Sequence, residues 1–237
     1  MKAVFKKEIR AYFISPVGYA FLLVFSLISA ALLTVEMIYA SQVNMTQFFA
    51  NFFTNNIMIF MFLIPILTMK LFSEERKAKT DQILFTSPVS TTGVVMGKFF
   101  AAFCIFAMAV AVTFIYVIII NLFSTVDFLM LLGNYIGLFL LGAAFISIGM
   151  FISTLTENQV IAAVISFAVM IIILLVHYVK AFVSGFLVTA VDFISVIDRY
   201  MDFNEGLLNF SSILFFLSIT GLFIYLTVRV IEKRRWS

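Results

Sequence analysis

Residues 73–90 read Ser73-Glu74-Glu75-Arg76-Lys77-Ala78-Lys79-Thr80-Asp81-Gln82-Ile83-Leu84-Phe85-Thr86-Ser87-Pro88-Val89-Ser90. An apolar run over 56–72 precedes this stretch and another over 94–123 follows it. A spanning helix needs about 20 apolar residues, so the flanks read as membrane spans and the charged stretch as the knuckle that joins them outside the bilayer. Further runs at 17–36, 128–153, 159–178 and 211–230 also qualify, which makes six spans. The fold class this predicts is an all-α polytopic membrane protein with a single transmembrane domain over 1–237.

Composition agrees with that expectation. The chain is 64% hydrophobic and 11% charged, whereas soluble domains carry about 25% charged residues. A formal net charge of +3 is too small to point to nucleic acid, so where the charges sit matters more than their sum. The single Cys104 lies in an apolar run and has no partner in the chain for a disulfide. Run 56–72 is the shortest and contains Pro65, whose freed carbonyl buried neighbours can satisfy. Run 94–123 is longer than a bilayer requires and has room to tilt or extend beyond it.

Lysine and arginine set the expected orientation. Thirteen of them fall in 1–14, the 70–98 region and 229–235, and two, Lys180 and Arg199, fall on the other side. Both termini are therefore expected in the cytosol. Within 1–14, Lys2, Lys6, Lys7 and Arg10 occupy one helical face, and Val4, Phe5, Ile9, Tyr12 and Phe13 fall largely on the other. That pattern predicts an interfacial helix lying on membrane lipid, with Lys6, Lys7 and Arg10 as its basic face. Ser15-Pro16 ends it. The apolar run from Val17 is too long for the core of a cleaved signal.

The stretch 179–210 is too polar to span and too apolar for a loose linker. Short helices on the outer leaflet are expected there. Asp198, Arg199, Asp202 and Glu205 would form the wet side, and Gly206 the turn into the last span. As an outer gate the candidate residues are Asp198, Asp202, Glu205 and Gly206; a lid packed on the spans is the plainer alternative.

Motifs for chemistry are sparse. Gly93-Val94-Val95-Met96-Gly97-Lys98-Phe99 is one residue short of a phosphate loop and lacks its hydroxyl. Gly93 and Gly97 fit close helix packing better. His177 is the only histidine and has no ligand-spaced partner. No nucleophile elbow occurs, and no metal or cofactor site is expected in this chain. Glu36, Lys98, Asn121, Asn134 and Glu157 all fall near span ends, where water or headgroups would reach them, so an ion-driven carrier is disfavoured. Gly133, Gly137, Gly142 and Gly149 in the fourth span fit packing within one subunit, or a face toward a second.

In 73–90, acids precede lysines, Ile83, Leu84 and Phe85 add an apolar ridge, and Pro88 would stop the helix. An exposed amphipathic knuckle suits the docking of a soluble partner. The candidate docking residues are Glu74, Glu75, Arg76, Thr80, Asp81, Ile83, Leu84 and Pro88.

These stretches together resemble the membrane subunit of type-2 ABC transporters, and within it the permeases related to gliding motility and nitrous-oxide-reductase maturation. The likeness rests on Tyr12-Phe13-Ile14-Ser15-Pro16-Val17-Gly18-Tyr19, on Ser73 through Ser90, on Gly97-Lys98-Phe99 and on Ser153-Thr154-Leu155-Thr156-Glu157-Asn158-Gln159. Ile197-Asp198-Arg199-Tyr200-Met201-Asp202-Phe203-Asn204-Glu205-Gly206 adds to it. The resemblance implies six spans, an N-terminal elbow helix, a coupling helix between spans two and three, and outer re-entrant helices. It also implies a separate ATPase holding ATP and magnesium, and a second permease copy or paralogue. Asp81-Gln82 departs from the Ile-Glu pair of many relatives. The function expected is export of an amphiphilic or hydrophobic substrate across a bacterial inner membrane. A membrane anchor or mechanical coupler that moves nothing is the alternative.

Overall fold

The computed structural model describes residues 1–39, 45–80, 90–121, 128–179, 195–204, 206–207 and 209–235. Among these the chain is helical and without strands. In order the helices are α1 (Lys2–Ile14), α2 (Pro16–Tyr39), α3 (Met45–Thr68), α4 (Lys70–Lys77), α5 (Thr91–Asn121), α6 (Phe128–Leu155), α7 (Gln159–Val179), α8 (Val196–Asn204) and α9 (Phe210–Arg235). Six helices, α3 running on through α4 as one of them, are long and apolar enough to cross a membrane. Even α7, with 21 residues, reaches about 32 Å at 1.5 Å per residue, enough for a hydrocarbon core. The protein is a multi-pass all-α membrane protein.

The second long helix starts at Met45, well before position 56. The polar residues Asn51, Thr54, Asn55 and Asn56 hid this start, because a hydropathy run breaks on them. In the fold Thr54, Asn55 and Asn56 each meet a polar partner. Asn56 is buried, accepts a hydrogen bond from Ser29 Oγ at 2.8 Å and donates to the Phe52 carbonyl. Asn55 Nδ2 donates to Glu36 Oε1 at 3.0 Å, tying α2 to α3.

Helix α6 is the hub. It packs on α3, α4, α5, α7, α8 and α9. Its glycines let neighbours approach closely: a Cβ at Gly137 would lie 2.9 Å from the Phe203 ring. At Gly142 it would strike the Phe106 ring, and at Gly149 the Thr68 hydroxyl. Lipid provides no hydrophobic drive between helices, so such contacts carry the association. The small-residue row of the fourth span thus serves packing inside the subunit. A phenylalanine-rich layer fills the rest: Phe25 stacks on Phe60 at 4.5 Å, and Phe60 meets Phe106 at 4.6 Å.

The bundle has two polar ends. At one, α1, α4, the start of α5 and the end of α6 come together. At the other, α8 rests on the start of α6 and α9 and the end of α7.

Candidate functional site

The first polar end is organised around Lys98. It stands two turns into α5, only 1% exposed, and is not open to water as its place near a span end implied. Its ammonium lies 2.9 Å from Glu8 Oε1 on α1 and 3.1 Å from Glu75 Oε2 on α4. Lys7 Nζ reaches Glu75 Oε1 at 3.0 Å, so two cations and two carboxylates form a neutral cluster. The Phe72 ring lies 5.1 Å from the Lys98 ammonium. A buried lysine persists only when paired, and this one draws its partners from two other helices.

Local sequence explains how those partners arrive. Gly97 precedes Lys98, and a Cβ there would come within 3.0 Å of Val4. The missing side chain lets α1 lie against α5. Val4, Glu8 and Tyr12 recur every four residues and share one face of α1. Val4 meets Gly97, Glu8 meets Lys98, and Tyr12 Oη donates to the Leu67 carbonyl of α3 at 2.9 Å. Burial pushes the Tyr12 phenol far above its ordinary range, so it remains a donor. Burial alone would lower the pKa of the Lys7 ammonium. The Glu75 hydrogen bond and the charges of Glu75 and Glu8 outweigh that and hold it above the ordinary lysine value.

Helix α4 is set by a cap from elsewhere in the chain. Helix α4 starts after Met69, four residues past Pro65; the Met69 backbone stays helical at φ −54°, ψ −33°, and it has no side chain that could cap α4. The first amides of a helix lack intrahelical acceptors. Ser153 at the end of α6 supplies one: its Oγ accepts from Phe72 N at 3.0 Å and Ser73 N at 3.2 Å, and donates to the Met69 carbonyl at 3.1 Å. Ser73 Oγ bonds the same carbonyl. Arg76 secures the other end of α4, donating to the Thr154 carbonyl at 3.1 Å and to Glu157 at 2.9 Å.

Helix α4 ends at Lys77, and the stop expected at Pro88 lies outside the described residues. Lys79 adopts φ +55°, Lys79 N bonds the Arg76 carbonyl and Thr80 N bonds the Glu75 carbonyl. That is a Schellman stop, with lysine in the left-handed position that glycine normally takes. Glu74, Lys77 and Thr80 are exposed, whereas Glu75 and Arg76 are half-buried and turned inward to the ion pairs. Of the docking candidates, Asp81, Ile83, Leu84 and Pro88 lie outside the described residues. Lys6, Lys7 and Arg10 are all exposed on α1, and Lys7 also reaches Glu75. A cleft of about 120 Å³ opens between α1 and α4, with Glu74 and Lys70 among its lining.

At the opposite end, α8 buries Ile197, Tyr200 and Phe203. Asn134 of α6 is fully buried, not near water as expected, and accepts from Tyr200 Oη at 3.2 Å. Asn204 Nδ2 donates to Thr54 at 3.0 Å. The polar side of α8 is stitched to its neighbours: Asp198 Oδ1 lies 2.8 Å from His177 Nδ1, and Asp202 Oδ2 accepts from Ser212 Oγ at 2.6 Å. Gly206 has φ +73° and, with Leu207 N on the Asp202 carbonyl, closes α8. Glu205 lies outside the described residues, as do Lys180 and the phenylalanines of 180–194.

Sequence reasoning missed three functional side chains here. Glu8 is an acid on the apolar face of a basic helix, which signals a buried cation opposite. Ser153 opens a quoted motif, but no sequence pattern shows that it caps a helix 80 residues away. His177 pairs with Asp198 across 21 positions, again without a local signal.

No curated protein matches this sequence. A family model described as ABC-2 family transporter protein matches residues 3–235. That match takes in the Lys98 cluster, the capped joint at Met69 and all six long helices. The chain therefore belongs to the ABC-2 transporter family and is a transmembrane subunit of an ABC transporter.

Proposed function

We propose that this chain is the permease half of an ATP-driven exporter in a bacterial inner membrane, with ATP, magnesium and hydrolysis in a separate ABC ATPase. One observation carries this most directly. The exposed edge of α4, with Glu74 and Lys77 and with Thr80 just beyond it, stands on a joint tied to four other elements. Lys98 and Lys7 tie it to α5 and α1, and Ser153 and Arg76 tie it to α6 and the turn that follows. A push on 73–90 from an ATPase would move these elements together. The thirteen-to-two split of basic residues supports cytosolic placement of this end and of both termini.

On this proposal α1 lies along the inner leaflet and two permeases, identical or paralogous, face each other. The substrate passes between them. With 31 phenylalanines and 12 methionines, the chain suits an amphiphile or hydrophobic peptide. The order of its motifs supports the gliding-motility and nitrous-oxide-reductase-maturation branch. Helix α8 caps the far end and moves with α6, on which Phe203 and Tyr200 seat it. The test is reconstitution with the cognate ATPase in liposomes. Export predicts ATP hydrolysis stimulated by an amphiphile and ATP-dependent movement of it; hydrolysis indifferent to every amphiphile, with no movement, would establish the anchor instead.

A further inference from the structure

A second feature near α1 plays no part in the charged joint. Beside the crossing of α1 and α5 lies an open groove of about 480 Å³, lined by Met1, Lys2, Phe5, Phe100, Phe103 and Cys104. Phe100, Phe103 and Cys104 stand at i, i+3 and i+4 and make one face of α5. Phe5 forms the opposite wall from α1. The floor is apolar, and no acidic side chain lines it. Glu8, the acid of α1, is turned to Lys98 and is unavailable to this side. Lys2 lines the rim, and Lys6, one turn on, is exposed on the same helix.

We infer that this groove holds one acyl chain of an anionic glycerophospholipid, with its phosphate against Lys2 and Lys6. The occupant follows from the chemistry of the walls. An apolar trough with Lys2 in its wall, and exposed Lys6 one turn along the same amphipathic helix, matches a molecule with one long apolar part and one negative head. An extended peptide would need partners for its backbone amides, and the groove floor has none to give. The inference needs α1 and α5 to meet at the membrane surface and does not depend on transport. Bound lipid would wedge α1 against α5 one turn beyond Gly97, and so hold in place the helix that carries Glu8.

Cys104 is the sole cysteine and stands in the groove, so the unmodified chain carries its own probe. Full-length protein is placed in bilayers of phosphatidylcholine alone or of equimolar phosphatidylcholine and phosphatidylglycerol, and Cys104 is reacted with N-ethylmaleimide. The expected result is severalfold slower labelling with phosphatidylglycerol, and loss of the difference in Lys2→Gln/Lys6→Gln. A phosphatidylglycerol carrying a diazirine on its acyl chain should, in the unsubstituted protein, crosslink to peptides containing Phe5 or Phe100–Cys104. Equal labelling rates in both bilayers would overturn the site. So would a rate difference that survives both substitutions, or crosslinks confined to other helices. Protection of Cys104 in both bilayers would mean that a neutral lipid chain or protein covers the groove, and would overturn the anionic site as well.

Discussion

Lys98 Nζ lies 3.1 Å from Glu75 Oε2 while also holding Glu8 at 2.9 Å, so a single buried ammonium joins the short helix α4 to the N-terminal helix α1. Neither carboxylate is close to Lys98 in sequence. The arrangement ties α4, α1 and α5 together through one side chain.

Removing the ammonium should be costly. Lys98→Met leaves Glu8 without its close cation and Glu75 with only Lys7. Loss of one partner of a buried ion pair costs about 3–5 kcal/mol. A matching drop in thermal stability of the detergent-solubilised protein is expected, and Lys98→Met/Glu8→Gln should recover part of it. Unchanged stability in the single variant would show that the cluster is solvated.

Ser153→Ala should loosen α4 without unfolding the bundle. It removes the hydroxyl that the Phe72 and Ser73 amides share, while the Met69 carbonyl keeps Ser73 Oγ, a loss of about 1–3 kcal/mol. Hydrogen exchange should accelerate at Phe72 and Ser73, while amides in the middle of α6 stay protected. Uniform acceleration through α6 would mean that Ser153 supports its own helix and not the joint.

The stop after α4 makes a backbone prediction. Lys79 holds φ +55°, a conformation that costs an L-residue about 1–2 kcal/mol relative to glycine. Lys79→Gly should therefore be more stable than Lys79→Ala, a pair that removes the same charge and differs only in backbone freedom. Equal melting temperatures for the two would place the stop elsewhere.

Packing around α6 can be read from two glycines. Gly142→Ala drives a methyl into the Phe106 ring, and overpacking of that kind costs about 1–3 kcal/mol. Gly221→Ala in α9 meets nothing within 4 Å and should leave stability unchanged or slightly raised. Comparable losses at both sites would contradict the central position of α6.

Six spans and the all-α class were legible because hydropathy and helix length dictate them in lipid. Start sites were less so. Polar Asn55 and Asn56 interrupt a hydropathy run, yet in three dimensions they meet Glu36 and Ser29. Lys98 and Asn134 looked wet because sequence gives their distance from a span end and not the helices that cover them. The end of α4 at Lys77 was hidden because it depends on a left-handed lysine, a conformation lysine seldom advertises; the stop expected at Pro88 lies outside the described residues. Glu8 was legible in principle: an acid on an otherwise apolar face implies a cation opposite.

The most direct test of the permease assignment is contact with the ATPase at α4. A photoreactive residue replaces exposed Lys77, or, as a control at the opposite end, exposed Asn209, in native membranes with measured ATP-dependent export. The account predicts an adduct between position 77 and an ABC ATPase chain, and none from position 209. An ATPase adduct from 209, or none from 77 while export proceeds, would contradict it.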